Sequence, residues 1–418
     1  LSLESSKPDV LIVGGGVIGC ACAYYLARQG LSVRLVERGK VGHGCSYGNA
    51  GWMAPAHALP LPMPGALWEC LGWLTRKDSP LYIKPRPAIL PWLLSFLRHA
   101  NRLHLEYATP ALVEMATLSL ALLEEVSEAY PDNQMDLVRN DLLYPCISAH
   151  GLKKARAELQ LLREHGAAGR ELTGEELRDL EPAITNRVIG GVAVHGQGRV
   201  EPLSVVETLA SAAKLEGAEI HEDTDVRSVD FSGRRVTGLQ TAAGRLEAET
   251  YVWATGSWTP ELMRSLAIRV PIEAGKGYAL ILPPNTPPIR NSLLLIEKKI
   301  AVTPRRASLR LAGTMELAGL NDHVNPVRVD AILRGSRHYL DIPAAPEIRE
   351  TWSGSRPCTP DGLPMIGRTA KFDNLLLAAG HAMLGLALST GTGKLVSELI
   401  TGKTPFLDPK PFDPARFQ

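Results

Sequence analysis

Several things are missing from this sequence of 418 residues, and each absence removes a class of function. The longest apolar patch, Ala88 to Leu97 (AILPWLLSFL), is well short of the ~20 residues needed to span a bilayer. An integral membrane protein is therefore not expected. Net charge is only +1, and no basic stripe carries interleaved aromatics, which argues against a nucleic-acid partner. The six cysteines (Cys20, Cys22, Cys45, Cys70, Cys146 and Cys358) form no C-x-x-C pair and no metal-like spacing. They read as reduced thiols of a cytoplasmic protein. The eleven histidines include no H-E-x-x-H, and no G-x-S-x-G is present, so neither a metal centre nor an acyl-transfer nucleophile is expected. Gly391-Thr-Gly-Lys394 fails as a phosphate loop, because its first glycine would fall at Leu388 and Leu395 follows the lysine. Leu1 to Lys7 is short and polar, so no secretory leader is expected.

What is present is a soluble globular composition, 45% hydrophobic and 21% charged, long enough for two domains. Its organising stretch runs from Val10 to Glu37. Val10 to Val13 is a short β-branched run, Gly14, Gly16 and Gly19 complete G-x-G-x-x-G, and Val17 to Gln29 has helical composition. A second apolar run, Leu31 to Val36, ends in Glu37. In this strand–turn–helix–strand setting Gly14 permits the tight turn, Gly16 lets backbone approach a pyrophosphate, and Gly19 lets helix pack on strand. The helix N-terminus then faces the phosphates. Glu37 can accept from a ribose 2′-hydroxyl but would repel a 2′-phosphate, so FAD or NAD fits and NADP does not. No second such motif exists, so one dinucleotide is expected.

The rest of the chain yields further expectations. Val41 to Gly65 is a long Gly- and Pro-rich loop with Ser46, Asn49 and Gly51 available to wrap a cofactor. Trp68 to Leu105 mixes aromatics, prolines and short helical runs, and Ala88 to Leu97 is expected as a helix buried in the second domain. A membrane-surface helix is the alternative, since Arg98, His99 and Arg102 follow. Helices are expected over Thr109–Tyr130, Gly151–Arg178 and Leu203–Glu216. Strands are expected at 219–220, 226–231, 235–241, 246–256, 303–314 and 374–379. Gly380 and His381 then open a long apolar helix to Ile400. Strands near Val252 and Leu376 must complete the first sheet, which makes the nucleotide domain discontinuous. The fold class is α/β, a Rossmann-like dinucleotide domain with a β-sheet-based second domain.

Two further stretches carry candidate chemistry. Trp352 to Gly367 (WSGSRPCTPDGLPMIG) reads as a rigid folded-back loop. Its Arg356 either clamps a carboxylate bidentately or pairs with a structural acid. His381 is a catalyst, a cap or a packed side chain; Lys276 and Tyr278 belong to a surface turn or to an active-site roof. Hydride transfer suits such a sparse inventory, because the cofactor carries the difficult chemistry.

Taken together, VGGGVIG with Glu37, SYGNAG, AGKGYAL, WSGSRPCTPDGLPMIG, NLLLAAGHAMLG and STGTGKLVSELI resemble the FAD-dependent amine oxidoreductases of the D-amino-acid-oxidase type. The similarity is strongest to the bacterial D-amino acid dehydrogenase small subunits and runs nearly end to end. It implies an FAD-binding domain from residues 1–56, 188–262 and 350–418, and a substrate domain from 57–187 and 263–349. It implies FAD at Gly14, Gly16, Val17, Ile18, Gly19, Glu37 and Arg38, with Ser46, Asn49, Ala50 and Gly51 near the pyrophosphate and ring. Val226, Thr255 and Gly256 are further cofactor contacts, and Gly380, Met383, Leu384 and Gly385 stand at the flavin's pyrimidine end. In a related branch a cysteine five residues before Thr-Pro-Asp binds flavin covalently; Gly354 holds that place here, so non-covalent FAD is expected.

By the same resemblance Arg356 holds the substrate carboxylate, with Tyr278 and His381 as further catalytic candidates. The implied reaction moves hydride from Cα of a D-amino acid to flavin N5. Water then hydrolyses the imino acid to a 2-oxo acid and ammonia, and electrons pass to a quinone or dye acceptor. Enzymes for D-proline, D-hydroxyproline, glycine or sarcosine share the scaffold and remain alternatives, as does a non-catalytic dinucleotide-binding sensor. The expected setting is cytoplasmic, with peripheral contact at the inner membrane face and homo-oligomerisation both compatible with the sequence.

Overall fold

The computed structural model describes residues 7–65, 72–73 and 78–417. Cys70 and part of the Trp68–Leu105 reading lie outside them. The first strand, Val10–Val13, is buried on both faces, as its unbroken apolar run requires. It pairs in parallel with Val33–Val36 on one side and Thr250–Trp253 on the other. The full order is Met365–Arg368, Leu375–Ala379, Thr250–Trp253, Val10–Val13, Val33–Val36, Glu219–His221, with only the first pair antiparallel. The expected partners near Val252 and Leu376 are thus the observed ones.

Helix Val17–Ala27 covers one face of this sheet and is itself covered by Pro202–Leu215 and Ser389–Thr401. It is apolar all round because it is buried all round. Its contact with the last helix depends on Gly393, where a Cβ would sit 2.6 Å from the Ala21 backbone. The other face carries a three-stranded sheet, Val226–Ser232, Arg235–Thr241 and Gly244–Leu246, and helix Thr259–Ser265.

The second, larger sheet runs Glu350–Cys358, Glu273–Leu282, Leu309–Leu317, Ile300–Pro304, Ser292–Leu295, Val138–Cys146, Gly190–Arg199, Trp52–Met53. Strands Leu81–Ile83 and Gly169–Thr173 attach to its flanks. Strands 190–199 and 350–358, expected in the FAD-binding part, are hydrogen-bonded into this sheet instead. The chain crosses between the two sheets near Val200 and Thr359.

Other expectations are corrected too. Gly151–Arg178 is two helices, Ala149–Glu164 and Gly174–Leu180, separated by strand Gly169–Thr173. Gly166, at φ +87°, stops the first, and a Thr173–Glu176 capping box starts the second. The single strand expected over 303–314 is a hairpin turning where Arg305 N–H donates to Ser308 O. Trp352–Gly367 is not all loop: its first half is strand Glu350–Cys358 and its end is strand Met365–Arg368. The last helix opens at Ser389 rather than His381. Helix Leu90–His99 buries Trp92 but exposes Leu90, Leu94 and Leu97 by 56%, 59% and 42%. These leucines lie on one face at spacings of four and three, so the expected burial holds for the opposite face only.

Candidate active site

The glycines build a cradle. Gly14 adopts φ +108°, and a Cβ there would lie 2.6 Å from Ala254 O. A Cβ on Gly19 would lie 1.8 Å from Gly14 O, so turn and helix touch backbone to backbone. A Cβ on Gly16 would meet only Ser46 Oγ, at 3.3 Å, so its outer side is open. Gly16 supplies no side-chain cap, and Val17 N–H donates to Ser46 Oγ at 3.0 Å. An open backbone turn under a helix N-terminus that Gly16 itself leaves without a side-chain cap suits a pyrophosphate. Glu37 accepts from Gly15 N–H (2.7 Å) and Gly39 N–H (2.9 Å), one on each oxygen. A carboxylate has about four lone-pair sites, so both oxygens retain capacity for a ribose. Thr224 N–H donates to Glu37 O, which brings the start of strand Val226–Ser232 beside it. Arg38 lies 3.9 Å over the ring of Trp258, just after Thr255 and Gly256.

A second line of contacts joins the two loops expected around the flavin ring. Asn49 Oδ1 accepts from Gly51 N–H (2.8 Å), and its Nδ2 reaches Met383 O at 3.5 Å. Leu384 N–H donates to His381 O, closing the Gly380–Gly385 turn, in which Gly380 takes φ +86°. The structure thus brings Asn49 against the Met383 turn.

Arg356 stands on the face of the large sheet turned to the Cys45–Asn49 loop. Its guanidinium lies over Gly277, where a Cβ would come within 2.1 Å of Nη1. Nη1 donates to Thr314 O at 2.8 Å, and no carboxylate among the described residues pairs with the group. Burial lowers its pKa, and the thiols of Cys45 and Cys358 are its titratable neighbours. The strand is tied to the nucleotide domain on both sides. Ser257 Oγ donates to Ser355 O (2.8 Å), and Ala382 N–H donates to Pro357 O (2.9 Å).

Comparison with known proteins gives the family. A sequence profile of the FAD dependent oxidoreductase (DAO) family matches residues 9–399. The chain belongs to that family. It is 32% identical to a D-amino acid dehydrogenase of Paramagnetospirillum magneticum, covering 94% of this chain and 95% of that one. A D-amino acid dehydrogenase of Methylobacterium nodulans is 30% identical over 98% and 99%. Among solved structures, glycine oxidase from Geobacillus kaustophilus superposes with a TM-score of 0.78 at 25% identity, covering 98% of each chain. This member of the FAD-dependent oxidoreductases is therefore an enzyme with FAD as its cofactor, and the cradle described above fits that group.

Within this FAD oxidoreductase, one of the three expected catalytic residues faces away from the site, and another lies in the Gly380–Gly385 turn with its ring engaged by Thr392. Tyr278 points to the opposite face of the sheet from Arg356, fully buried among Leu280, Leu282 and Tyr339. Its hydroxyl donates to Glu316 Oε2 at 2.8 Å, and burial raises its pKa to about 12. It contacts neither loop of the site, because adjacent residues of a strand face opposite ways. His381 is buried with Nε2 3.0 Å from Thr392 Oγ1, and Thr392 Oγ1 donates onward to Leu388 O. Burial alone drives its pKa to about 3, so the ring is neutral through the physiological range and is occupied by Thr392 of the last helix. It is a packed histidine.

Three residues that the sequence reading passed over belong to the site. Arg310, on the Arg356 face, donates through Nη1 to Tyr47 O (2.9 Å) and Asn49 O (2.5 Å), fixing the Tyr47–Asn49 loop to the sheet. Burial lowers its pKa to about 10. Trp352 lies flat against Gly48 and Gly354, where a Cβ would approach within 2.0 and 2.1 Å of its ring. Tyr47 donates to Glu350 Oε2 at 2.9 Å. The two glycines bracketing the tryptophan were the available signal.

Proposed function

We propose that this enzyme oxidatively deaminates D-amino acids to 2-oxo acids and ammonia and passes the electrons to a quinone-type acceptor. The observation that carries the reading is Arg356: a buried cation with one carbonyl and, among the described residues, no acid, beside the Cys45–Asn49 and Gly380–Gly385 loops. An uncompensated buried charge is unfavourable by several kcal/mol and is expected to find an anion. The substrate carboxylate is that anion. A guanidinium fork holds it through two parallel bonds and so fixes the direction of Cα–H. Gly277 and Gly354 let Arg356 and Trp352 lie close over the sheet, and Trp352 and Arg310 hold the Tyr47–Asn49 loop against it. FAD, when bound, supplies the hydride acceptor. No protein base is assigned, since His381 is committed to Thr392 and the amino acid needs only to enter with a neutral amine. The names of the relatives support the D-amino acid, and Gly354 supports non-covalent FAD; acid precipitation should leave the flavin in the supernatant.

The exposed Leu90, Leu94 and Leu97, followed by exposed Arg98, support reversible contact with an anionic membrane surface. Among the described residues no helix is long and apolar enough to cross a membrane. Flotation with phosphatidylglycerol vesicles should carry the wild type and not Leu90→Glu/Leu94→Glu; equal flotation removes this surface.

The central test is kinetic. Arg356→Ala should lose about 2–5 kcal/mol in transition-state binding, the scale for truncating one member of a buried charge pair. Arg356→Lys should lose orientation and affinity together, with flavin content kept in both. The same variants assayed on the matching amine without a carboxylate decide it: equal losses on the two substrates sink the clamp. D-proline beside D-alanine in the same assay separates secondary from primary amines.

A further inference from the structure

The C-terminal tail carries an arginine committed to the turn that follows Arg356. Arg416 Nε donates to Asp361 Oδ2 at 2.7 Å. Its Nη2 donates to Leu363 O (2.7 Å) and Pro364 O (3.1 Å), and its Nη1 to Asp413 O (2.9 Å). Asp361 is only 3% exposed. The turn is further pinned by Thr359 Oγ1 donating to Leu363 O (2.8 Å) and His104 Nε2 donating to Asp361 O (2.7 Å).

What makes this turn more than a surface clamp is where it sits. It leaves strand Glu350–Cys358 two residues after Arg356, and its Thr359 Cγ2 packs where a Cβ on Gly380 would lie, at 2.7 Å. Cys358 forms a backbone bridge with His381. The turn therefore abuts both the strand that presents Arg356 and the Gly380–Gly385 loop, at the point where Ala382 N–H donates to Pro357 O. Among the described residues no other side chain holds it through its carboxylate and two carbonyls at once.

We propose that Arg416 is a positioning residue for substrate: by clamping the Asp361 turn it fixes the distance between Arg356 and the Gly380–Gly385 loop. This rests on Arg356 being the carboxylate clamp. A lysine at 416 could keep the ion pair with Asp361 but not the planar fork that also reaches two carbonyls.

The test uses the purified holoenzyme with benzoate, a carboxylate that cannot be oxidised, titrated against the flavin absorbance band. Arg416→Gln should weaken benzoate at least fivefold and Arg416→Lys less. Both should raise KM for a D-amino acid and leave kcat/KM for the decarboxylated amine within twofold. Flavin content and melting temperature are measured alongside. Unchanged benzoate affinity in Arg416→Gln, with Arg356→Ala still losing it, overturns the positioning role alone. Retained affinity in Arg356→Ala removes the clamp, and the positioning role with it. Loss of flavin in both Arg416 variants, or equal losses on the two substrates, makes Arg416 a stability element and also overturns the proposal.

Discussion

Strand Glu273–Leu282 presents two opposite answers to the same problem, a buried cation on each of its faces. On the outer face Lys276, 1% exposed, donates to Asn321 Oδ1 (2.5 Å) and His323 O (2.6 Å) and lies 3.5 Å from Glu316 Oε1. Glu316 also accepts from Tyr278 and stands 3.9 Å from Arg328, whose Nη1 donates to Ser79 O. Both cations there have a counter-charge in Glu316, as a structural network in low dielectric requires. On the inner face Gly277 lets the Arg356 guanidinium lie directly over the strand, and among the described residues no acid pairs with it. The compensated face explains itself from within the molecule. The other matches the substrate carboxylate proposed for it.

That contrast can be broken from either side. The largest effect is expected at Glu316→Ala, which strands Lys276 and Arg328 and should destabilise the fold by about 3–5 kcal/mol. Urea unfolding measures it. Discrimination between a D-amino acid and its decarboxylated amine should stay as in the wild type, and a changed ratio would mean that the outer network is not merely structural. The next effect belongs to the inner face. Gly277→Ala places a methyl where the guanidinium now lies, and a flexible side-chain end can swing aside, so stability should change little. Misplacing the clamp by about 1 Å can lower kcat/KM by about 10²-fold. Full activity in Gly277→Ala would show that Arg356 does not need its observed position.

The nucleotide half was legible because its physics is local. Gly14, Gly16, Gly19 and Glu37 lie within one βαβ unit, and each glycine answers a contact made by backbone a few residues away or by the neighbouring strand. The strands near Val252 and Leu376 lie far along the chain, and it was their own apolar runs that marked them as its partners. Strand membership across the two sheets was not legible, since Gly190–Arg199 and Glu350–Cys358 are recruited by partners far along the chain. Arg356 was found through its motif. Arg310 sits in an ordinary alternating strand, and only the tertiary approach of Tyr47 and Asn49 gives it a role. Tyr278 was misread because its facing depends on parity: one residue from Gly277, it looks the other way.

Tyr278 also supplies the finest division between the faces. Its hydroxyl donates to Glu316 at 2.8 Å and accepts from Asn325 N–H at 3.3 Å. Tyr278→Phe deletes both bonds while keeping the ring that packs against Leu280 and Leu282. Glu316 retains Lys276 and Arg328, so it is not left uncompensated. The loss should thus be near that of a hydrogen bond to a charged group, about 1.5–3 kcal/mol at most and closer to 1 where other partners remain. Turnover, KM and benzoate affinity should stay within twofold of the wild type. A tyrosine that touched substrate would behave in the reverse way, with stability untouched and KM raised. Measuring urea midpoint and steady-state kinetics on the same preparation separates the two. A raised KM at unchanged stability would return Tyr278 to the site and dissolve the division between the faces.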